Sequence, residues 1–323
     1  MSEPRPIILD CDPGHDDAVA IMLALANPAI DLLGITTVGG NQTLDKITRN
    51  AQSVLVACGR DDVPVYAGAA RPLVRRVEIA PEVHGDSGLD GVELPEPTRP
   101  VEDLHGVRFI IDTVMAAEPG TITLVATGPL TNVALAARLE PRIIGRVREV
   151  VVMGGGYHEG NWTAVAEFNI WVDPEAAHIV FDESWPLTMV GLDLTHQALA
   201  TPEVEEQVRA IDSPLGEFFL GLMAFFRKAY REHQGFIDPP VHDACTIAYL
   251  IDPALVQTQK VPLTVELRGE HTVGMTVADF RSPAAEDCRH QVATELDHAG
   301  FWALVVEALR VLSEQDARNR KED

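Results

Sequence analysis

Four carboxylates fall within eight positions of Asp10-Cys11-Asp12-Pro13-Gly14-His15-Asp16-Asp17, where the apolar run Ile7-Ile8-Leu9 gives way to a longer one. Crowded like charges either trap a proton or gather round a cation. Asp is also a favoured helix N-cap and suits the positive end of the helix dipole. That would account for Asp16 or Asp17 taken singly, but not for all four acids. A hard divalent ion held by carboxylate oxygens accommodates them together, and Ca2+ or Mg2+ fits better than zinc because no Cys or His cluster is nearby. His242-Asp243 joins a further acid to a side chain that titrates near neutrality, a suitable proton donor. Asp243 alone reads equally well as a cap for the apolar segment behind it. In Glu167-Phe168-Asn169 an extended backbone would put both polar side chains on one side.

The elements that must carry these residues alternate between two hydrophobic periods. Residues 7–9 read as a buried strand ended by Pro13-Gly14, 17–27 as a buried helix, 31–38 as a strand, 43–59 as a helix and 63–67 as a strand. Helix 103–117, strand 121–126, helix 130–139, strand 149–153, helix 174–181 and strand 187–190 continue the pattern. Helical segments follow near 202–211, 214–232 and 243–251; 261–267 and 272–280 form a hairpin about Gly269, and an amphipathic helix over 301–312 closes the chain. Such alternation predicts parallel pairing with right-handed crossovers. The expected fold is therefore α/β, one domain over residues 1–323, with an open, mostly parallel, Rossmann-like sheet and helices on both faces. In such sheets ligands bind at the carboxyl ends of the strands, which is where the acidic turn lies. The Gly- and Pro-rich stretch 68–100 reads as a functional loop rather than a linker.

Of the 323 residues, 25 are Lys or Arg and 49 are Asp or Glu, a net charge of −24. That excess argues against nucleic acid and against anionic membrane surfaces as partners. Free nucleosides, sugars and cations remain. The four cysteines form no C-x-x-C pair, so neither a disulfide framework nor a zinc site is expected. No signal-peptide core and no apolar run near ~18 residues is present, so a cytoplasmic location is expected.

Asp10-x-Asp12-Pro-Gly-x-Asp16-Asp17-Ala18 resembles the N-terminal signature of the inosine-uridine-type nucleoside hydrolases. The resemblance continues in order through Val38-Gly-Gly-Asn41, His84-Gly-Asp-Ser-Gly88, Thr127-Gly-Pro-Leu-Thr-Asn132, Met153-Gly-Gly-Gly156, Glu167-Phe-Asn169 with Asp173-Pro-Glu-Ala-Ala177, and His242-Asp243. It implies an enzyme of nucleoside catabolism or salvage that cleaves the N-glycosidic bond of small-molecule ribonucleosides around a bound Ca2+, releasing ribose and free base. It also implies a homo-oligomer, often a tetramer. By the same resemblance Asp12 is both a metal ligand and the base that takes a proton from the cation's water, and Asp17, the Thr127 carbonyl and Asp243 complete the protein ligands. Asp16, Asn41, Asn161, Glu167 and Asn169 would hold the ribose hydroxyls, and His242 would protonate the leaving base. His84 and Tyr230 are candidates to line the base or ribose, although Tyr230 also reads as a core aromatic and Asn161 as an ordinary turn residue. The late histidine points to the uridine, cytidine or inosine class rather than to the purine-restricted branch, which stacks tryptophans on the base. None of the four tryptophans stands in an equivalent position.

Two other readings share some of these residues. A haloacid-dehalogenase-type phosphatase also opens on strand-Asp-x-Asp, and Gly85-Asp86-Ser87-Gly88-Leu89-Asp90 superficially matches its later Gly-Asp-x-x-x-Asp element. Pro13-Gly14 departs from its pattern, however, and the second element comes too early and without an apolar strand before it. A non-catalytic calcium- or nucleoside-binding protein would need the metal and ribose contacts but not His242. No G-x-x-x-x-G-K, H-E-x-x-H or G-x-S-x-G occurs.

Overall fold

The first strand, β1 (Arg5–Cys11), sends alternate side chains into two different cores, Ile7, Leu9 and Cys11 to one and Ile8 to the other. Burial on both faces is why such strands read as unbroken apolar runs. The protein, as a computed structural model, is described for residues 3–322. From β1 the chain runs through α1 (His15–Ala26), β2 (Ile30–Thr37), α2 (Leu44–Ala57) and β3 (Val65–Ala67), then a long loop holding one short helix, α3 (Pro81–His84). It continues with α4 (Gly106–Ala116), β4 (Thr123–Ala126), α5 (Thr131–Leu139), β5 (Glu149–Met153), α6 (Phe168–Val172), α7 (Pro174–Asp182), β6 (Leu187–Val190) and α8 (Leu192–Thr195). Then come α9 (Pro202–Arg209), α10 (Pro214–His233), α11 (Ala244–Ile251), β7 (Val256–Lys260), β8 (Leu263–Val265), β9 (Thr276–Ala278), β10 (His290–Leu296) and α12 (His298–Glu322).

Eight strands form one sheet in the order β3-β2-β1-β4-β5-β6-β10-β7, parallel except for β7, which runs antiparallel to β10 at the edge. Helices α1, α2, α10, α11 and α12 pack on one face, and α4, α5 and α7 on the other. The doubly covered, mostly parallel α/β sheet expected from the alternation is the observed one. Chain order reverses between β1 and β4, so the crevice outside their carboxyl ends is the topological switch point.

Three details differ from the sequence reading. Strands β7 and β10 were not expected: only Val256 of β7 is buried, so no apolar run betrays an edge strand. The expected hairpin exists as β8 and β9, each three residues long, with Gly269 in the loop between them. The closing helix is also longer than 301–312, extending from His298 to Glu322.

Candidate active site

Adjacent strand ends deliver the polar residues. The chain leaving β1 carries Asp12, Asp16 and Asp17, that leaving β2 carries Asn41, and that leaving β4 carries Thr127. Glu167 and Asn169 follow β5, and the connection from α10 to α11 supplies His242 and Asp243. Oxygens of Asp16, Asp17 and Asp243 lie within 4.8 Å of one another, and all three residues are buried. Asp12 has no solvent exposure: its Oδ2 accepts the Asn41 N–H at 2.7 Å, while its Oδ1 is buried without a partner. Gly40 is required beside it, because a Cβ there would press on the Asp12 carboxylate. Asp17 accepts from the Gly14 N–H at 3.0 Å and from Thr127 Oγ1 at 2.8 Å. It therefore caps α1 as well as facing the cluster.

Burial, with neighbouring acids behind it, pushes the Asp12, Asp16 and Asp243 carboxyls above the usual range, and burial alone raises Asp17 against the hydrogen bonds it accepts. The all-oxygen set of Asp16, Asp17 and Asp243, with the unpartnered Asp12 Oδ1 on the same turn, fits a hard divalent cation, which would remove that penalty. Asp10 does not join the set. Its Oδ1 accepts from Thr36 Oγ1 at 2.5 Å and Asn132 Nδ2 at 2.7 Å, and burial raises its pKa to about 7. The acidic turn therefore divides into one structural acid and three that face the cluster. The Thr127 carbonyl, expected as a ligand, already accepts from Asn169 Nδ2 at 2.8 Å, which leaves one lone pair for a further partner.

Asp16, Asn41, His84, Thr127, Asn161, Glu167, Asn169, Tyr230, His242 and Asp243 line a single cleft. Asp12 and Asp17 are not among its lining residues. The Glu167–Asn169 segment is not extended: Glu167 is the N-cap of α6, accepting from the Asn169, Ile170 and Gly155 N–H groups at 2.9, 3.1 and 3.0 Å. Its acidity is reduced by burial, to a pKa of about 7. Asn161 Oδ1 accepts from the Phe168 N–H at 2.9 Å, so the turn role and the cleft position coincide.

His242 is clamped between Thr195 Oγ1, 2.7 Å from Nδ1, and the Tyr230 hydroxyl, 2.7 Å from Nε2. Tyr230 is buried and lines the cleft, and its hydroxyl is hydrogen-bonded to His242 rather than packed in the core alone. Burial, and then the nearby His196, holds His242 well below the ordinary histidine pKa, contrary to the expected titration near neutrality. The sequence reading missed Trp162, which lines the cleft together with Phe168, Val83 and Gln234. Trp162 Nε1 donates to Glu78 Oε2 at 3.1 Å, and Trp171 Nε1 donates to the same oxygen at 2.9 Å. The Trp162 ring meets Phe168 edge-on at 5.0 Å. Only the folding of two distant loops onto each other brings it there, and no local spacing signals that. The phosphatase-like Gly85–Asp90 segment is a turn closed by the Asp90 carboxylate, which accepts from the backbone of Asp86 and Ser87 at 3.1 and 3.0 Å.

Comparison with known proteins agrees with this arrangement. The family model for inosine-uridine preferring nucleoside hydrolases matches residues 7–303. An inosine-uridine preferring nucleoside hydrolase of Crithidia fasciculata is 58% identical over 307 residues, covering 95% of this chain and 98% of that protein. A pyrimidine-specific ribonucleoside hydrolase of Escherichia coli O157:H7 is 47% identical over 308 residues, with 95% and 98% covered. The solved structure of a purine-preferring ribonucleoside hydrolase from Gardnerella vaginalis superposes with a TM-score of 0.90 at 34% identity, covering 96% of this chain and 100% of that one. With most of β1, its acidic turn and nearly the whole sheet inside the matched span, the chain belongs to the inosine-uridine preferring nucleoside hydrolase family, a family of enzymes.

Proposed function

We propose that the whole chain acts as one catalytic unit that hydrolyses the N-glycosidic bond of uridine-, cytidine- or inosine-class ribonucleosides to ribose and free base, with Ca2+ as its resident cation. The observation that carries this is the buried cluster of Asp16, Asp17 and Asp243 oxygens at a cleft rich in groups suited to ribose, with the unpartnered Asp12 Oδ1 on the same turn near enough to feel the Asp16 and Asp17 charges. The substrates named for the Crithidia and Escherichia relatives support the choice of nucleoside class.

Asp12, Asp17, Asp243 and the Thr127 carbonyl are the residues that would hold the cation. When bound it lowers the pKa of a water molecule and contributes to the grip on the ribose hydroxyls. The chain's own groups supply the rest. Asp12 Oδ1, having no other partner, accepts the proton of the attacking water. Asp16, Asn41, Asn161, Glu167 and Asn169 bind the ribose hydroxyls, which both donate and accept. The sugar passes through an oxocarbenium-like state, and direct addition of water releases the inverted anomer. Burial disfavours the charged form of His242 in the empty cleft, so it acts as an acid only after taking up a second proton as negative charge gathers on the bound nucleoside; that proton passes through the Tyr230 hydroxyl to the leaving base and returns the ring to neutral imidazole.

A steady-state panel of uridine, cytidine, inosine and adenosine, with and without a calcium chelator, tests the proposal. Turnover of at least one of the first three, lost on chelation and restored by Ca2+, is expected. Chelator-insensitive turnover, or none with any nucleoside, overturns it. We assign the protein to the reducing cytoplasm, in keeping with its four unpaired cysteines. We take it as a homo-oligomer, a tetramer by family resemblance, which light scattering of the purified protein checks.

A further inference from the structure

The long loop after β3 is tied down at several points before it reaches the cleft. The Leu73 N–H donates to Asp173 Oδ2 at 2.9 Å, and Arg75 grips both oxygens of Glu175 at 3.0 and 3.1 Å. Further on, the Ala80 N–H donates to the Asn41 carbonyl at 3.1 Å. Between the last two ties stands Glu78, an exposed residue whose Oε2 accepts two indole N–H groups, from Trp171 at 2.9 Å and from Trp162 at 3.1 Å. A carboxylate oxygen has two lone pairs, so one atom serves both donors. Trp171 belongs to α6, and the Arg75 guanidinium lies 5.8 Å from the centroid of its ring. Glu78 is thus flanked by an ion pair on its own loop and by a helix across from it.

Trp162 sits in the irregular segment between β5 and α6 and lines the cleft. The Trp162 and Thr163 N–H groups both donate to the Ala166 carbonyl, at 3.1 and 3.2 Å, which closes the main chain there. Those bonds hold the backbone but not the side-chain torsions that aim the indole. The edge-on contact with Phe168 gives the ring a neighbour without a direction for its N–H. A charge-assisted hydrogen bond supplies that direction, and it is stronger than a bond between neutral groups. The same bond joins two segments of the cleft wall. Ala80, Val83 and His84 line the cleft a few residues after Glu78, and Asn161 and Phe168 line it on either side of Trp162 in the chain.

We propose that Glu78 is a positioning residue: by holding the indole N–H of Trp162 it fixes that ring as an aromatic wall of the cleft, against which the nucleoside packs. A ring already held in one orientation need not be ordered when the ligand arrives, so the bond favours binding without touching the ligand. Only the identity of the ligand rests on the function proposed above; the hold on Trp162 does not.

Two substitutions separate this role from a merely structural one. Glu78→Ala removes the acceptor at an exposed position and opens no cavity, so the variant keeps its fold. Glu78→Gln keeps an oxygen with two lone pairs. NMR of 15N-tryptophan-labelled, deuterated, calcium-supplemented protein without substrate reads the indole N–H groups, with Trp162→Phe and Trp171→Phe samples assigning the two signals. In the wild type the Trp162 indole N–H should exchange with water about tenfold more slowly than a free indole; Glu78→Ala should abolish that protection and shift both signals, and Glu78→Gln should retain most of it. In steady state, Glu78→Ala should raise KM about five- to tenfold with kcat changed less than about twofold, and Glu78→Gln should recover most of the loss. In a Trp162→Ala background, Glu78→Ala should raise KM by less than about twofold, because its route to the ligand is already gone. A Trp162 signal unmoved by Glu78→Ala overturns the proposal, as does an unaltered KM, or a full KM effect that persists in the Trp162→Ala background. Absence of nucleoside turnover would defeat the proposed function instead, and the indole spectra would still decide whether Glu78 holds the ring.

Discussion

In the proposed reaction the proton-accepting burden falls on one oxygen of Asp12, because its Oδ2 is taken by Asn41 and its Oδ1 by nothing. Asp12→Asn keeps the shape of the side chain and removes the base, so kcat on uridine or inosine should fall by about a thousandfold or more. Near-normal turnover by the correctly folded variant would remove Asp12 from the reaction. The leaving-group side makes a different prediction. His242→Ala and Tyr230→Phe interrupt the chain Thr195–His242–Tyr230 and should slow natural nucleosides by about 10²- to 10⁴-fold. A riboside with a nitrophenolate leaving group needs no proton and should be nearly spared; equal losses on both substrates would show that the relay does not deliver a proton.

At the scale of elements, α6 shows how a short helix escapes a sequence reading. Its five residues are fewer than two turns, so no 3.6-residue period can develop, and the polar-apolar-polar order of Glu167-Phe168-Asn169 imitates a strand. In fact Glu167 satisfies three backbone donors at once. Glu167→Ala should therefore cost about 2 kcal/mol of stability, a fall in Tm of about 3 °C by calorimetry for a chain of 323 residues, besides any loss in catalysis. An unchanged Tm would mean that the cap is replaceable by water. The central strands were legible because burial on both faces writes continuous apolar runs, and the acidic turn was legible because its charges sit in one local stretch. The edge strand β7 and its neighbour β10, mostly short of full burial, leave no such mark. The Trp162–Glu78 contact arises from chain segments far apart in sequence, which spacing does not encode.

Across the whole molecule, the buried acids tie stability to cation and pH. Asp10 and Glu167 are raised to about 7 and Asp12 and Asp243 lie well above normal, whereas unfolded carboxyls titrate near about 4. Between those limits the cation-free folded chain holds more protons than the unfolded one, so its stability should fall as pH rises from about 5 to 8. Ca2+ should oppose that loss, adding about 2.7 kcal/mol at a hundredfold excess over Kd, and the gain should grow with pH. Thermal melts in chelator and in calcium at several pH values check both signs. The clasp of Trp162 and Trp171 on the Glu78 carboxylate has an optical consequence. Trp185 and Trp302 are sealed in the cores and Trp171 does not line the cleft, which leaves Trp162 as the indole whose emission reports on an arriving ligand. Titrating nucleoside into an inactive Asp12→Asn protein should shift that fluorescence, and Trp162→Phe should silence it, giving a label-free gauge of occupancy.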